Sequence, residues 1–406
     1  MPQLADVLAA VDQHDAYRRD CIGLVPTENV LSPLARRVLA SDASHRYLFQ
    51  NPQWRYVGGK HLATLEESAK DLAREAFGVR HANVRPLSGE NCTNIVIDAL
   101  VGPGDVFYHL AMEDGGHFAA RSVADRIGAD RHLLPFDRTN AVVDLGACAH
   151  AFAEAPPDVI YLDASMVLFP HPVRELRRLA GNDTIIVYDA SQVFGLILGG
   201  TFQDPLREGA DVLSGSCHKS LPGPQKGMIL TDRDELMEAV EATIFPGHVS
   251  NFHLHHVAAL AVTLAEMRAF GADYARQMLA NARALAEGLA GHGLAVQGGA
   301  QRTASHQVWL DVRPQMPPDE AVERLHDAHL IGNVNLIPTL GQKGLRLGVP
   351  EITRLGMGEG EMADLSGAIA DVLTGRRAIE RVRHDVIALA RRFDAPRYCF
   401  EAGARS

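Results

Sequence analysis

The chain reads as an α/β protein. A large domain with a mainly parallel central sheet flanked by helices precedes a smaller α+β C-terminal domain. Three observations predict this. Short runs rich in apolar and β-branched residues (Asp105–Leu110, Val159–Ala164, Thr184–Ala190, Asp211–Ser216 and Gly227–Thr231) alternate with helical or turn-like material. The runs are apolar on both faces, as strands buried between helical layers are. After the stretch 245–256 the character changes to Ala- and Leu-rich amphipathic segments and a glycine-punctuated region.

Taken in order, residues 1–30 form an N-terminal arm, 31–260 the large domain and 261–406 the small one. From Leu62 to Phe77 apolar residues recur at helical spacing, and Gly78 stands where a C-cap glycine belongs. The five strand candidates follow, and ligands of such sheets collect at the strands' carboxyl ends. Two long helices are expected at Val257–Phe270 and Tyr274–Gly291, then a strand over His306–Val312 and a helix over Asp319–His329. Helical stretches at Glu361–Leu373 and Arg376–Phe393 close the chain.

With 406 residues, 47% of them hydrophobic, the chain is a globular protein long enough for two domains. A net charge of -11 with no basic block argues against nucleic-acid binding. No apolar run approaches the roughly 18 residues of a membrane span, and no signal peptide is visible. Five scattered cysteines without CxxC spacing read as reduced thiols. The expectation is a soluble, cytoplasmic enzyme.

The chemistry is concentrated at two strand ends. The run Ile185-Ile-Val-Tyr-Asp189 closes on a lone aspartate, and Asp211-Val-Leu-Ser-Gly-Ser216 runs on into Cys217-His218-Lys219. A lysine and an aspartate so placed suit pyridoxal phosphate, with Lys219 as the Schiff-base lysine and Asp189 keeping the pyridine nitrogen protonated. The plainer readings are a surface lysine and a strand-end turn residue. Ser88-Gly89-Glu90-Asn91 opens a helix whose backbone N–H groups suit a phosphate, although Ser-Gly turns are common and an inward Glu90 would repel an anion. Asp114-Gly-Gly-His117 presents an imidazole able to stack on a ring, or is a mobile loop. Arg346, amid apolar and glycine residues, would grip a carboxylate bidentately. Cys217 reads as a packing residue. His248, His253, His255 and His256 match no zinc spacing, and no metal is expected.

These residues together resemble the serine hydroxymethyltransferase family of fold-type-I pyridoxal-phosphate enzymes over most of the chain. Leu24-Val-Pro-Thr-Glu-Asn29 is similar to the family's Ile-Ala-Ser-Glu-Asn, Arg55-Tyr56-Val-Gly-Gly59 to Arg-Tyr-Tyr-Gly-Gly, and His81-Ala-Asn-Val-Arg-Pro-Leu-Ser-Gly89 to His-Ala-Asn-Val-Gln-Pro-His-Ser-Gly. Gly115-Gly-His117, His218-Lys219, Phe245-Pro-Gly247 and Gly344-Leu-Arg-Leu-Gly348 follow in the family's order. The resemblance implies that Lys219 carries the cofactor, with His218 beside it and Asp189 on the pyridine nitrogen. His117 would stack on the ring, Ser88, Gly89, Glu90 and Ser216 would border the phosphate, and Ser165 and Gln192 would lie near the ring. Thr27, Tyr56 and Arg346 would meet the substrate. Tyr47 would reach a neighbouring subunit's site, implying a homodimer with shared active sites, or a tetramer built from it.

Departures bear on activity. The family's Ala-Glu-Gly-Tyr-Pro is Leu48-Phe-Gln-Asn-Pro52, so its proton-handling glutamate is Phe49, and its second tyrosine is Val57. A family histidine is Gln192, and the segment between Pro338 and Gly344 is short. Phenylalanine neither exchanges a proton nor accepts a hydrogen bond. The expected function is therefore Cα–Cβ chemistry on a β-hydroxy-α-amino acid without tetrahydrofolate: aldol cleavage, transaldol transfer or hydroxymethyl transfer, with an aldehyde as co-substrate in the transfers. An aminotransferase or a racemase on the same scaffold is the alternative.

Overall fold

A computed structural model describes residues 3–48 and 60–401. The central sheet has seven strands in the spatial order His81–Asn83, Gly227–Thr231, Val212–Ser216, Ile185–Asp189, Val159–Leu162, Val106–His109, Asp130–Leu133. The last five are mutually parallel, and Gly227–Thr231 runs antiparallel to both its neighbours. Val159–Leu162, Val212–Ser216 and Gly227–Thr231 are buried at every position, which is why they read as unbroken apolar runs rather than alternating ones. The two outer strands, His81–Asn83 and Asp130–Leu133, went unseen in the sequence. They are short, polar and placed at the sheet's edges.

Register places the chemistry. Asp189 pairs with Ser214 in the neighbouring parallel strand, and the Ala190 N–H donates to the Ser214 carbonyl at 2.7 Å. The carboxyl end of Ile185–Asp189 thus lies beside the segment leading to Lys219.

A second, antiparallel sheet orders Ala295–Val296, Gln307–Asp311, Gln342–Gly348 and Asn333–Ile337. It sets Arg346 opposite Trp309 on one side and Asn333 on the other. The two helices expected at Val257–Phe270 and Tyr274–Gly291 are in fact one, Leu254–Gly291, with 38 residues. Gly271, in the gap between the two expected stretches, serves close packing. A Cβ there would lie 2.8 Å from Leu198 Cδ2, and a Cβ on Gly199 would lie 2.6 Å from the Gly271 carbonyl oxygen. Burial of this crossing offsets the roughly 1 kcal/mol that glycine costs inside a helix. The helix packs against Pro33–Leu39 and Ala63–Phe77 on one hand and Glu359–Thr374 on the other, and the expected boundary at residue 260 falls inside it.

Candidate active site

A cavity of about 210 Å³ opens at the carboxyl ends of the central strands. Lys219 and Asp189 both line it. Gly215 makes their approach possible: its φ is +147°, and a Cβ there would stand 2.6 Å from Ser191 N and 2.9 Å from Asp189 Oδ1. The Ser191 N–H donates to Asp189 Oδ1 at 2.8 Å, and the Ser191 hydroxyl accepts from Ser216 N at 2.8 Å, stitching the two strand ends together. Enclosure pushes the Lys219 ammonium down to about 8, against the attraction of Asp189. The loop bearing Lys219 is anchored from outside by Asn29, whose Nδ2 donates to the Lys219 carbonyl at 2.6 Å and to the Tyr274 hydroxyl at 2.9 Å.

One wall is the N-terminus of the helix Gly89–Leu100. Ser88 caps it, accepting from Asn91 N at 3.0 Å. A Cβ on Gly89 would lie 2.8 Å from Ser216 Cβ, so only glycine lets helix and strand close up here. The Ser216 hydroxyl is buried and has no partner among the described residues. An unpaired hydroxyl beside free N–H groups at a helix N-terminus is a phosphate-shaped demand. Glu90 is exposed and borders the cavity at its rim, which eases the conflict its charge posed.

His117 caps the helix Phe118–Ile127, its Nδ1 accepting from Ala119 N at 3.3 Å, and stacks on Phe118 at 4.2 Å. Burial lowers its pKa, against the pull of Asp189, and with Nδ1 accepting, the proton of the neutral ring falls on Nε2. His218 also lines the cavity and is pushed down to about 4 by burial and by Lys219.

Asp163, Ser191 and Thr93 line the cavity without having been expected there. Asp163 accepts from Leu110 N and His117 N, both at 3.1 Å, pinning the His117 turn to the sheet, and burial pushes it up to about 8. The sequence held a signal for it. Asp163 closes Val159-Ile-Tyr-Leu just as Asp189 closes Ile185-Ile-Val-Tyr.

Ser165 and Gln192 lie in the cavity wall; Thr27, Tyr47 and Arg346 do not. Thr27, expected to meet the substrate, is not among the residues that line the cavity. It sits partly buried in the turn beyond Leu24, whose carbonyl accepts from Gly348 N at 2.8 Å. Tyr47 is 57% exposed. Tyr56, Phe49 and Val57 lie outside the described residues. Arg346 adjoins the cavity through Ser165, its Nη1 donating to the Ser165 carbonyl at 3.3 Å. The Asn333 amide, with its oxygen 2.9 Å from Arg346 Nη2 and its NH2 2.8 Å from the Arg346 carbonyl, brackets the other side. Arg346 is only 6% exposed, yet no carboxylate of the described residues pairs with it, and burial pushes it down to about 10. Among the histidines weighed as metal ligands, His248 pairs with Asp98 at 2.9 Å while the rings of His255 and His256 pack edge to face. Among the described residues no group of three or more His, Cys, Asp or Glu could hold a metal ion.

The residues present fit pyridoxal phosphate: an enclosed amine, a strand-end carboxylate, a neutral imidazole and an anion cradle with an orphaned hydroxyl face one cavity. The comparisons agree. The family model described as serine hydroxymethyltransferase matches residues 2–369. The serine hydroxymethyltransferase of Methanopyrus kandleri is 42% identical, over 98% of this chain and 95% of its own. That of Pyrococcus furiosus is 38% identical, over 98% and 97%. The crystal structure of L-threonine transaldolase from Pseudomonas fluorescens superposes with a TM-score of 0.92 at 31% identity, covering 99% of this chain and 95% of that one. The chain belongs to the serine hydroxymethyltransferase family and is a fold-type-I, pyridoxal-phosphate-dependent enzyme acting on small amino acids.

Proposed function

We propose that this enzyme makes and breaks the Cα–Cβ bond of a β-hydroxy-α-amino acid without tetrahydrofolate, exchanging an aldehyde with solution. One observation carries the reading: a buried arginine with no counter-ion among the described residues adjoins the Lys219–Asp189 cavity. The guanidinium N–H groups not taken by Ser165 and Asn333 suit an α-carboxylate, and such a grip fixes which bond of Cα is presented for cleavage. Bound pyridoxal phosphate supplies the sink for the electron pair left when that bond opens. The protein's part is to hold the cofactor and manage protons. Lys219 is the attachment lysine and Asp189 the partner of the pyridine nitrogen. His117 covers the ring face, Ser88, Gly89 and Ser216 hold the phosphate, and Ser165 and Gln192 border the ring. With a pKa of about 8, Lys219 can take and return a proton near neutrality.

Independence from folate is supported by Phe49 and Val57, which remove an acid and a phenol, and by Gln192 in place of an imidazole. It is supported too by the tight hairpin in which Ile337 pairs with Gln342 across the short 338–341 turn. A homodimer is favoured by the helix Leu4–Arg19, which buries no residue and exposes Leu4, Val7, Leu8 and Val11 along one face.

The test is incubation of the holoenzyme with L-threonine alone. Cleavage moves the hydroxyl proton off the substrate and one proton onto Cα, giving acetaldehyde and glycine in equal amounts. Turnover that requires tetrahydrofolate would contradict the proposal. Keto-acid formation or loss of optical activity without fragmentation would instead assign the aminotransferase or racemase reading.

A further inference from the structure

Gln307 lies outside the cavity wall, yet its amide controls two groups that serve it. It is fully buried on the strand Gln307–Asp311. Its Oε1 accepts from Trp309 Nε1 at 2.9 Å and from Val167 N at 3.3 Å, both obligate donors. Its Nε2 donates to the Ser165 carbonyl at 3.0 Å, an obligate acceptor, and to Gln192 Oε1 at 3.2 Å. With donors fixed on one side and a carbonyl on the other, the amide has a single orientation. Gln192 must then turn its oxygen toward Gln307 and leave its NH2 for the cavity it lines. That NH2 hydrogen-bonds to none of the described residues and is not sealed away from solvent. The Ser165 carbonyl held by Gln307 is also the one that receives Arg346 Nη1.

We propose that Gln307 is a positioning residue that makes Gln192 an obligate hydrogen-bond donor toward an acceptor oxygen of the bound cofactor, and that steadies Arg346 through the shared Ser165 carbonyl. Three polar side chains from distant parts of the chain thus act as one relay: Gln192 from the turn after Ile185–Asp189, and Gln307 and Arg346 from the second sheet. The Arg346 arm rests on the carboxylate role proposed above; the Gln192 arm rests on the cofactor alone.

The experiment follows two binding readouts on the holoenzyme, neither needing turnover. The first is the pH midpoint of the change in the cofactor's visible absorption. A donor to an anionic oxygen favours the deprotonated form, so Gln192→Met raises the midpoint by about 0.5 to 1 pH unit. Gln307→Met raises it by no more than that, and the double variant matches Gln192→Met because the two residues act in series. The second is the dissociation constant for glycine by spectral titration. Gln307→Met weakens it roughly threefold to tenfold through Arg346, a larger loss than Gln192→Met, which does not touch Arg346 or the Ser165 carbonyl, produces. Wild-type values of both readouts in Gln307→Met would overturn the proposal, as would an additive double variant. Should Gln307→Met fail to fold, Gln192→Glu decides the donor assignment. An acceptor-only side chain must raise the midpoint beyond Gln192→Met, and a wild-type midpoint there refutes it. A midpoint that responds while glycine affinity does not would reject the Arg346 arm and leave the donor arm standing.

Discussion

Two buried arginines eight positions apart meet opposite fates. Arg354, fully buried, donates to Glu266 at 3.1 Å and to the Tyr398 carbonyl at 2.6 Å. Arg346 has a carbonyl and an amide but, among the described residues, no anion. Two lysines repeat the contrast. Lys226 is sealed, its ammonium donating to the carbonyls of Arg85 and Phe252 at 2.9 Å each, whereas Lys219 faces an open cavity. A cation that serves the fold brings its own acceptors; one that serves a ligand leaves them to be supplied.

The contrast is broken or sharpened by four substitutions, from the largest effect down. Lys219→Ala is expected to abolish amino-acid turnover, a loss of at least about 10⁴-fold, in single- and multiple-turnover assays alike; undiminished turnover would remove Lys219 from the site. Arg354→Met, which strands Glu266, is expected to cost about 3–5 kcal/mol of stability in denaturant unfolding and to leave KM of the surviving enzyme unchanged. Arg346→Met should do the reverse, lowering kcat/KM by roughly 10² to 10³ with little change in the unfolding midpoint.

The smallest effect is a pH dependence. Burial holds Lys226 down to about 7 from 10.5, so between those values the unfolded chain binds the extra proton. The lysine's contribution to stability therefore grows as pH rises through that window and is lost as pH falls toward 7. Relative to Lys226→Met, the wild type should gain in melting temperature from pH 7 to 10; a flat difference would place the ammonium in a wetter setting.

Which parts of this were legible in the sequence follows from how local each signal is. Lys219, Asp189, Ser88 and Gly89 sit at ends of short apolar runs or at a helix start, where a few neighbours define the role. Asp163 carried the same strand-end signature and could have been read with Asp189. Gln307, Ser191 and Asn333 could not, because each acts through partners brought close only by the fold; Gln307 meets Ser165 across 142 positions. The long helix was misread for a related reason, since Gly271 answers to Leu198 and Gly199 rather than to its sequence neighbours. Thr27 was expected at the substrate from its motif's resemblance alone; it stands beside the Leu24–Gly348 junction, a backbone contact that no residue type announces.

The central claim, that Arg346 awaits a ligand's carboxylate, is tested most directly by spectral titration of the holoenzyme with glycine and with ethylamine, which lacks the carboxylate. The wild type is expected to prefer glycine by about 10² or more, and Arg346→Met to lose most of that preference with the ethylamine affinity little changed. An Arg346→Met enzyme that still discriminates as the wild type does would contradict the account.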